Sequence, residues 1–441
     1  MKIKSLSRGP LTIQIGLNSL VGYLFLKVLA LKFGTSAQKD GFDIAYSVPF
    51  IVMSVSGFTF LHSIITTQFS KMLANESRHI DSVFSTVLTC MLCLGGGFVL
   101  LCMLLSRPLT GLLAPGLSPQ MQQETQRLIV AMCPLVFTLG ISTYLSAVLI
   151  AYAVPVTMEF CQLITRLGVI VGVLILRQHY TLMQVAVGLV AFSALVMAYQ
   201  WNLMRRTTGI RYRPTLHWSQ PEFIGIAQQG MGFLVAAVFS QVSMSYMRRL
   251  ATLDGPGTTA ALTYAFSLSA PLSMLLGKPL ALSAGPEYIR SYEVGDMVTA
   301  RAIFLRCLAF CLVASAIAVT AISLFATPLI HVLYGGGRFD LASVMKTTGL
   351  FRVLIWSLPP SIILWVTLMP LLSADRSHTA AGTYVAGYCT QLVMSYLLFP
   401  VSSRFGPAWA YVLAISLQAA IGIAYVVRGL ARNLERARCS A

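Results

Sequence analysis

Sorted into apolar and polar positions, the chain is a succession of long apolar runs separated by short polar breaks. About twelve runs of roughly 20 residues, the length that crosses a bilayer, fall near 10–31, 42–70, 82–106, 128–152, 156–176, 181–204, 220–248, 259–285, 302–333, 347–372, 380–400 and 407–428. Within each run the apolar residues are continuous rather than alternating, which predicts helices and excludes a β-barrel. The expected fold class is an all-α polytopic membrane protein, because only helices and closed barrels satisfy their own backbone in lipid. The first run follows a basic MKIKSLSR segment, but it is too long for a signal peptide and no small-residue cleavage site follows it. It reads as a retained span.

The runs repeat. AYSVPFIVMSVSG (Ala45 to Gly57) lies over AFSLSAPLSMLLG (Ala265 to Gly277), and RPLTGLLAPG (Arg107 to Gly116) over TPLIHVLYGG (Thr327 to Gly336). One offset of 220 residues serves both windows without a gap. The expected organisation is two six-helix lobes, 1–210 and 211–441, joined at the MRRTTGIRYR loop. An even number of spans per lobe returns the chain to its starting side. The repeat is then parallel, with a pseudo-two-fold axis along the membrane normal, and rocking of the lobes gives alternating access.

Composition agrees. Of 441 residues, 56% are hydrophobic and 10% charged, with a mean hydropathy of +0.77, too apolar to cover a water-facing surface. The net charge of +17 does not point to nucleic acid, because the basic residues fall in alternate loops. Arg205, Arg206, Arg211 and Arg213 share one side with Lys2, Lys4, Arg8, Arg428, Arg432, Arg436 and Arg438. The positive-inside rule makes that side, and both termini, cytoplasmic. The nine cysteines lie mostly within spans, and Cys90 and Cys93, although spaced as CxxC, read as small membrane-helix residues without redox or metal context.

The stretch FGTSAQKDGFDIAYSVP carries a pattern in Phe33, Gly34, Asp40, Phe42, Ala45 and Pro49. It resembles the MviN/MurJ lipid II flippase family, and LLAPGLSP (Leu112 to Pro119), LYGGGRFD (Leu333 to Asp340) and FSQVSMSYM resemble further segments of it. The similarity runs from about residue 10 to about residue 430. The resemblance implies a flippase of the multidrug/oligosaccharidyl-lipid/polysaccharide exporter superfamily, which turns polyprenyl-pyrophosphate-linked sugars toward the outer leaflet of a bacterial inner membrane. That family places cavity arginines where this chain has Phe25, Met53 and Ser267, and only Lys32 matches a basic position. Its members also end in two further helices beyond the twelve spans read here. The expected substrate is therefore a peptidoglycan precursor or a related exopolysaccharide or O-antigen unit.

Charged groups inside spans cost roughly 2.5–3.5 kcal/mol on insertion scales and usually face a cavity or a partner. Lys278 shares a helical stripe with Ser267, Pro271 and Met274. It reads as a cavity cation for a pyrophosphate, as a lysine snorkelling to the interface, or as half of an ion pair. Arg352 reads as a phosphate clamp or an interfacial residue, and Lys27 and Lys32 complete the candidate cations. Asp40, Glu159 and Arg166 are candidates for ion coupling or gating. For Asp40 the alternative is helix capping. For Glu159 and Arg166, seven apart on one face, it is a mutual or interhelical ion pair. His62 reads as packing or cavity lining. Pro271, Gly277 and Pro279 are candidate hinges of the eighth span.

No catalytic motif, metal-ligand spacing or nucleotide loop competes, so the chain reads as a transporter and not an enzyme, with no cofactor and no metal. The expected partners are the lipid-linked saccharide and membrane lipids. The chain is expected to act as a monomer, alongside glycosyltransferases or a polymerase. The alternatives are a cation-coupled exporter of small amphipathic molecules on the same fold and a membrane-embedded glycosyl transferase or polymerase. The first would need a dominant buried acid. The second would need a catalytic outer loop, and the outer loops are short.

Overall fold

The computed structural model describes residues 8–75, 79–154, 158–176, 180–373 and 377–439. It holds sixteen α-helices and no strand among those residues: α1 (Arg8–Phe33), α2 (Ala37–Val55), α3 (Phe58–Ala74), α4 (Ile80–Leu104), α5 (Ser106–Leu113), α6 (Pro119–Met132), α7 (Leu135–Ala151), α8 (Met158–Leu176), α9 (Leu182–Thr208), α10 (Pro221–Asp254), α11 (Thr258–Glu293), α12 (Met297–Tyr334), α13 (Leu341–Leu354), α14 (Leu358–Ser373), α15 (Ser377–Leu398) and α16 (Gly406–Cys439). Every expected span is met by a helix or a pair of helices. The run 42–70 breaks into α2 and α3 at Gly57, whose φ of 77° is left-handed and suits a residue without a Cβ. The run 347–372 is divided between α13 and α14 by one turn of 3-10 helix, Ile355–Ser357.

Nine stretches among the described residues are long and apolar enough to cross a bilayer. The expected spans that fall short are 42–70, 220–248 and 380–400. Polarity accounts for α2, with Lys39, Asp40 and Asp43, and for α15, with Thr383, Thr390 and Gln391. Helix α3 has only 17 residues, and some side chains of the 220–248 span lie outside the described residues. The most apolar helices instead turn large side chains outward: Leu104 is 80% exposed, Ile175 74% and Leu324 70%. Such a surface suits lipid as solvent.

Two compact units meet at Gln241 and Val242, inside α10, whereas the sequence suggests a joint near residue 210. The difference has a local cause. After α9 ends at Gly209, the segment to Gln220 runs along α4 of the first unit. The Arg213 and His217 amides donate to Ser85 and Thr86 side chains at 3.0 and 3.3 Å, and Gln220 Nε2 donates to Ser82 Oγ at 2.7 Å.

Each unit follows one packing plan. In the first, α2 packs on α6, α3 on α7, α7 on α9 and α8 on α9. In the second, α11 packs on α13 and α14, α14 on α16 and α15 on α16. Each unit also carries a polar bridge between helices. Asn18 Nδ2 on α1 donates to Gln162 Oε1 on α8 at 3.4 Å, and Ser243 Oγ on α10 donates to Gln391 Oε1 on α15 at 3.1 Å.

Candidate functional site

Polar groups in a lipid-facing protein have to be gathered inside, and each unit gathers them around a cavity. The first unit holds a partly open one of about 280 Å³ between α2, α7, α8 and α9, lined by Tyr46, Phe50, Gln162, Thr165, Arg166 and three leucines. Arg166 Nη1 donates to Asn18 Oδ1 at 3.1 Å and to the Asn18 carbonyl at 3.4 Å. Gly22 on α1 makes room for it, since a Cβ there would stand 2.9 Å from Nη1. The expected ion pair with Glu159 does not form. Seven residues of helix separate the two by about 10.5 Å, and Arg166 turns to α1 instead. Glu159, half-buried, is the charged neighbour of His62 on α3.

The N-terminus of α2 holds the densest charge. Lys39 and Asp40 are fully buried and Asp43 nearly so. Lys39 Nζ forms an ion pair with the Asp43 carboxylate and lies 5.5 Å from the centre of the Phe42 ring. The cap of α2 is Ser36, whose side chain accepts the Lys39 amide, so the expected capping alternative for Asp40 gives way to a place in the first turn. There a carboxylate suits the positive end of the helix dipole. The Lys39–Asp43 pair went unread in the sequence although its i, i+4 spacing was visible.

Lys32 closes α1 against the start of α9. Its Nζ donates to the Tyr180 carbonyl and lies 4.1 Å from the centre of the Tyr180 ring. Its observed contacts are those of a lock between helices. Lys27 on α1 is half-buried.

In the second unit a neutral cavity of about 230 Å³ lies between α11, α14, α15 and α16, lined by Ser273, Tyr384, Tyr388, Gln391, Tyr411 and Gln418 among others. Arg352 stands on α13 with its side chain exposed, outside this cavity. Ser267 bonds inward, its Oγ 2.8 Å from the Tyr334 hydroxyl. The side chains of Lys278 and Pro279 lie outside the described residues. Helix α11 runs unbroken past Pro271 and Gly277 to Glu293. Among the described residues no cluster of three His, Cys, Asp or Glu side chains is placed to hold a metal ion.

The missed features are these two internal cavities and the Asn18–Gln162–Arg166 chain. The signal for the chain was a polar face on α8 meeting a lone asparagine in the first span.

The chain is similar to the solved lipid II flippase MurJ in an inward closed conformation, with TM-score 0.78, 15% identity and coverage of 96% of this chain and 89% of that one. It is equally similar in fold to an inward-facing multidrug resistance transporter of the MATE family, with TM-score 0.80, 11% identity and coverage of 96% and 99%. A superfamily transporter from Pyrococcus furiosus follows, with TM-score 0.68, 12% identity and coverage of 96% and 95%. No curated protein sequence matches the chain. The family described as lipid II flippase MurJ matches residues 29–437, nearly the whole length. On that match, the chain belongs to the MurJ lipid II flippase family.

Proposed function

We propose that this protein turns a polyprenyl-pyrophosphate-linked saccharide from the inner to the outer leaflet of a bacterial inner membrane, by alternating access of two six-helix lobes, 1–210 and 211–441. The observation that carries the reading is the family match over residues 29–437. The membrane potential supplies a drive. A pyrophosphate with about two negative charges gains up to about 2 × 2.3 kcal/mol per 100 mV on moving outward. Lys278 is proposed as the cation that meets it, in place of the family's arginines. Both termini are proposed to be cytoplasmic, with the chain acting as a monomer alongside glycosyltransferases or a polymerase.

Two substrates fit: a peptidoglycan precursor, favoured by the family, and an exopolysaccharide or O-antigen unit, favoured by uncharged Phe25, Met53 and Ser267 at the family's arginine positions. The experiment is rescue of bacteria depleted of their own lipid II flippase. Growth restored by this chain selects the peptidoglycan precursor. Lysis, with restored export in a strain lacking its O-antigen flippase, selects the polysaccharide unit. Failure of both, with cation-coupled export of small amphipathic molecules instead, would establish the exporter reading that the MATE-like fold also supports.

A further inference from the structure

The cavity of the first unit has a wall of fixed polarity. Arginine only donates hydrogen bonds, so Asn18 must face Arg166 with its oxygen. That turns the Asn18 amide nitrogen to Gln162, 3.4 Å away, and Gln162 must in turn present its oxygen. The amide nitrogen of Gln162 is left as a donor, as are the guanidinium N–H groups that Asn18 does not use. Thr165 donates its hydroxyl to the Cys161 carbonyl at 2.9 Å. Among the described residues no carboxylate lies within ion-pair distance of Arg166, and the rest of the lining includes Phe50, Leu135, Leu139 and Leu189. One positive charge thus faces a partly open cavity with donors beside it and, among the described residues, no counter-charge.

We propose that this cavity binds one small monovalent inorganic anion of the halide class, held by Arg166 and Gln162. Size allows it: about 280 Å³ takes an ion with several waters, since roughly 10–15 Å³ of such space holds one water. Charge selects the class. A single guanidinium balances one negative charge, and a second charge on the ligand would stay uncompensated in a low-dielectric interior. The neutral cavity in the second unit offers tyrosine and glutamine without a cation among its described lining residues. The proposal stands apart from what the protein carries.

The test is thermal unfolding of the purified full-length protein in detergent. Chloride or bromide replaces gluconate at constant ionic strength, and inorganic phosphate is a separate arm. The expected result is a saturable upward shift of roughly 2–5 °C with either halide, the size set by ligand linkage, and no such shift with phosphate. Arg166→Gln should lose the halide response. Asn18→Asp places a carboxylate beside Arg166, and should unfold at the halide-saturated temperature with no halide added. That second variant decides the matter if Arg166→Gln does not fold. A wild-type midpoint indifferent to halide, a response to phosphate alone, or an undiminished halide response in Asn18→Asp would overturn the proposal.

Discussion

Lys39 and Asp43 are a buried pair at the start of α2, and pairs of this kind are costly to break and cheap to replace. Lys39→Met should destabilise the protein by about 3–5 kcal/mol, because it removes the charge paired with a buried carboxylate. Adding Asp43→Leu should recover most of that loss, which a double-mutant cycle of unfolding midpoints would measure. Asp254 gives a pH-dependent counterpart outside the membrane. Burial raises its pKa, but hydrogen bonds from Ser403, Arg404 and Thr258 outweigh burial and hold the carboxyl below its ordinary range. Its folded pKa lies below the unfolded one, so its contribution is complete above the ordinary carboxylate value and is lost as pH falls through the lowered one. Asp254→Asn should therefore cost about 1–2 kcal/mol at pH 7, and the gap from wild type should close in strong acid. For Lys278, Ala should abolish most transport at matched expression, Arg should keep part of it, and Glu should be worse than Ala. Normal transport by the Ala variant would favour the snorkelling lysine. At this scale the sequence was only partly legible. A charge in a span announces itself, but a partner on another helix, as Asn18 is for Arg166, is revealed by no spacing within one helix.

Helices were the most legible level, because each long apolar run has one way to satisfy its backbone in lipid. Breaks were harder. The sequence points to hinges at Pro271, Gly277 and Pro279, which lie within the one helix α11, and the chain breaks at Gly57, 220 residues before Gly277. The two glycines have different work. Gly57 takes a left-handed φ, whereas Gly277 admits Trp365, whose Cδ1 would stand 2.5 Å from an added Cβ. The same letter at matched positions hides that difference, since nothing local marks the approach of α14. Gly277→Ala should cost about 1–3 kcal/mol through overpacking, and a shortened side chain at Trp365 should relieve it. Gly57→Ala should cost about 1–2 kcal/mol for the left-handed backbone, with no relief from the Trp365 change.

For the molecule as a whole, the offset of 220 residues leads to an expected joint near residue 210, and the structure divides into two units between Gln241 and Val242, within α10. A boundary follows contacts. The segment from Gly209 to Gln220 is polar, so it reads as a linker, but its amides find side-chain acceptors on α4. Topology has its own check. On a background without native cysteines, Arg211→Cys, exposed in the structure, should react with an impermeant thiol reagent only after the membrane is opened. The central claim is that the chain carries a lipid-linked saccharide across a bilayer, and its most direct measurement is flipping in proteoliposomes. Purified protein is reconstituted with a fluorescent polyprenyl-pyrophosphate saccharide, and the fraction reached by an external quencher is followed under a potential. The account predicts faster leaflet exchange than in protein-free vesicles, driven away from the negative side and reduced in Lys278→Ala. An exchange rate equal to that of empty vesicles, for both the peptidoglycan precursor and the polysaccharide unit, would contradict it.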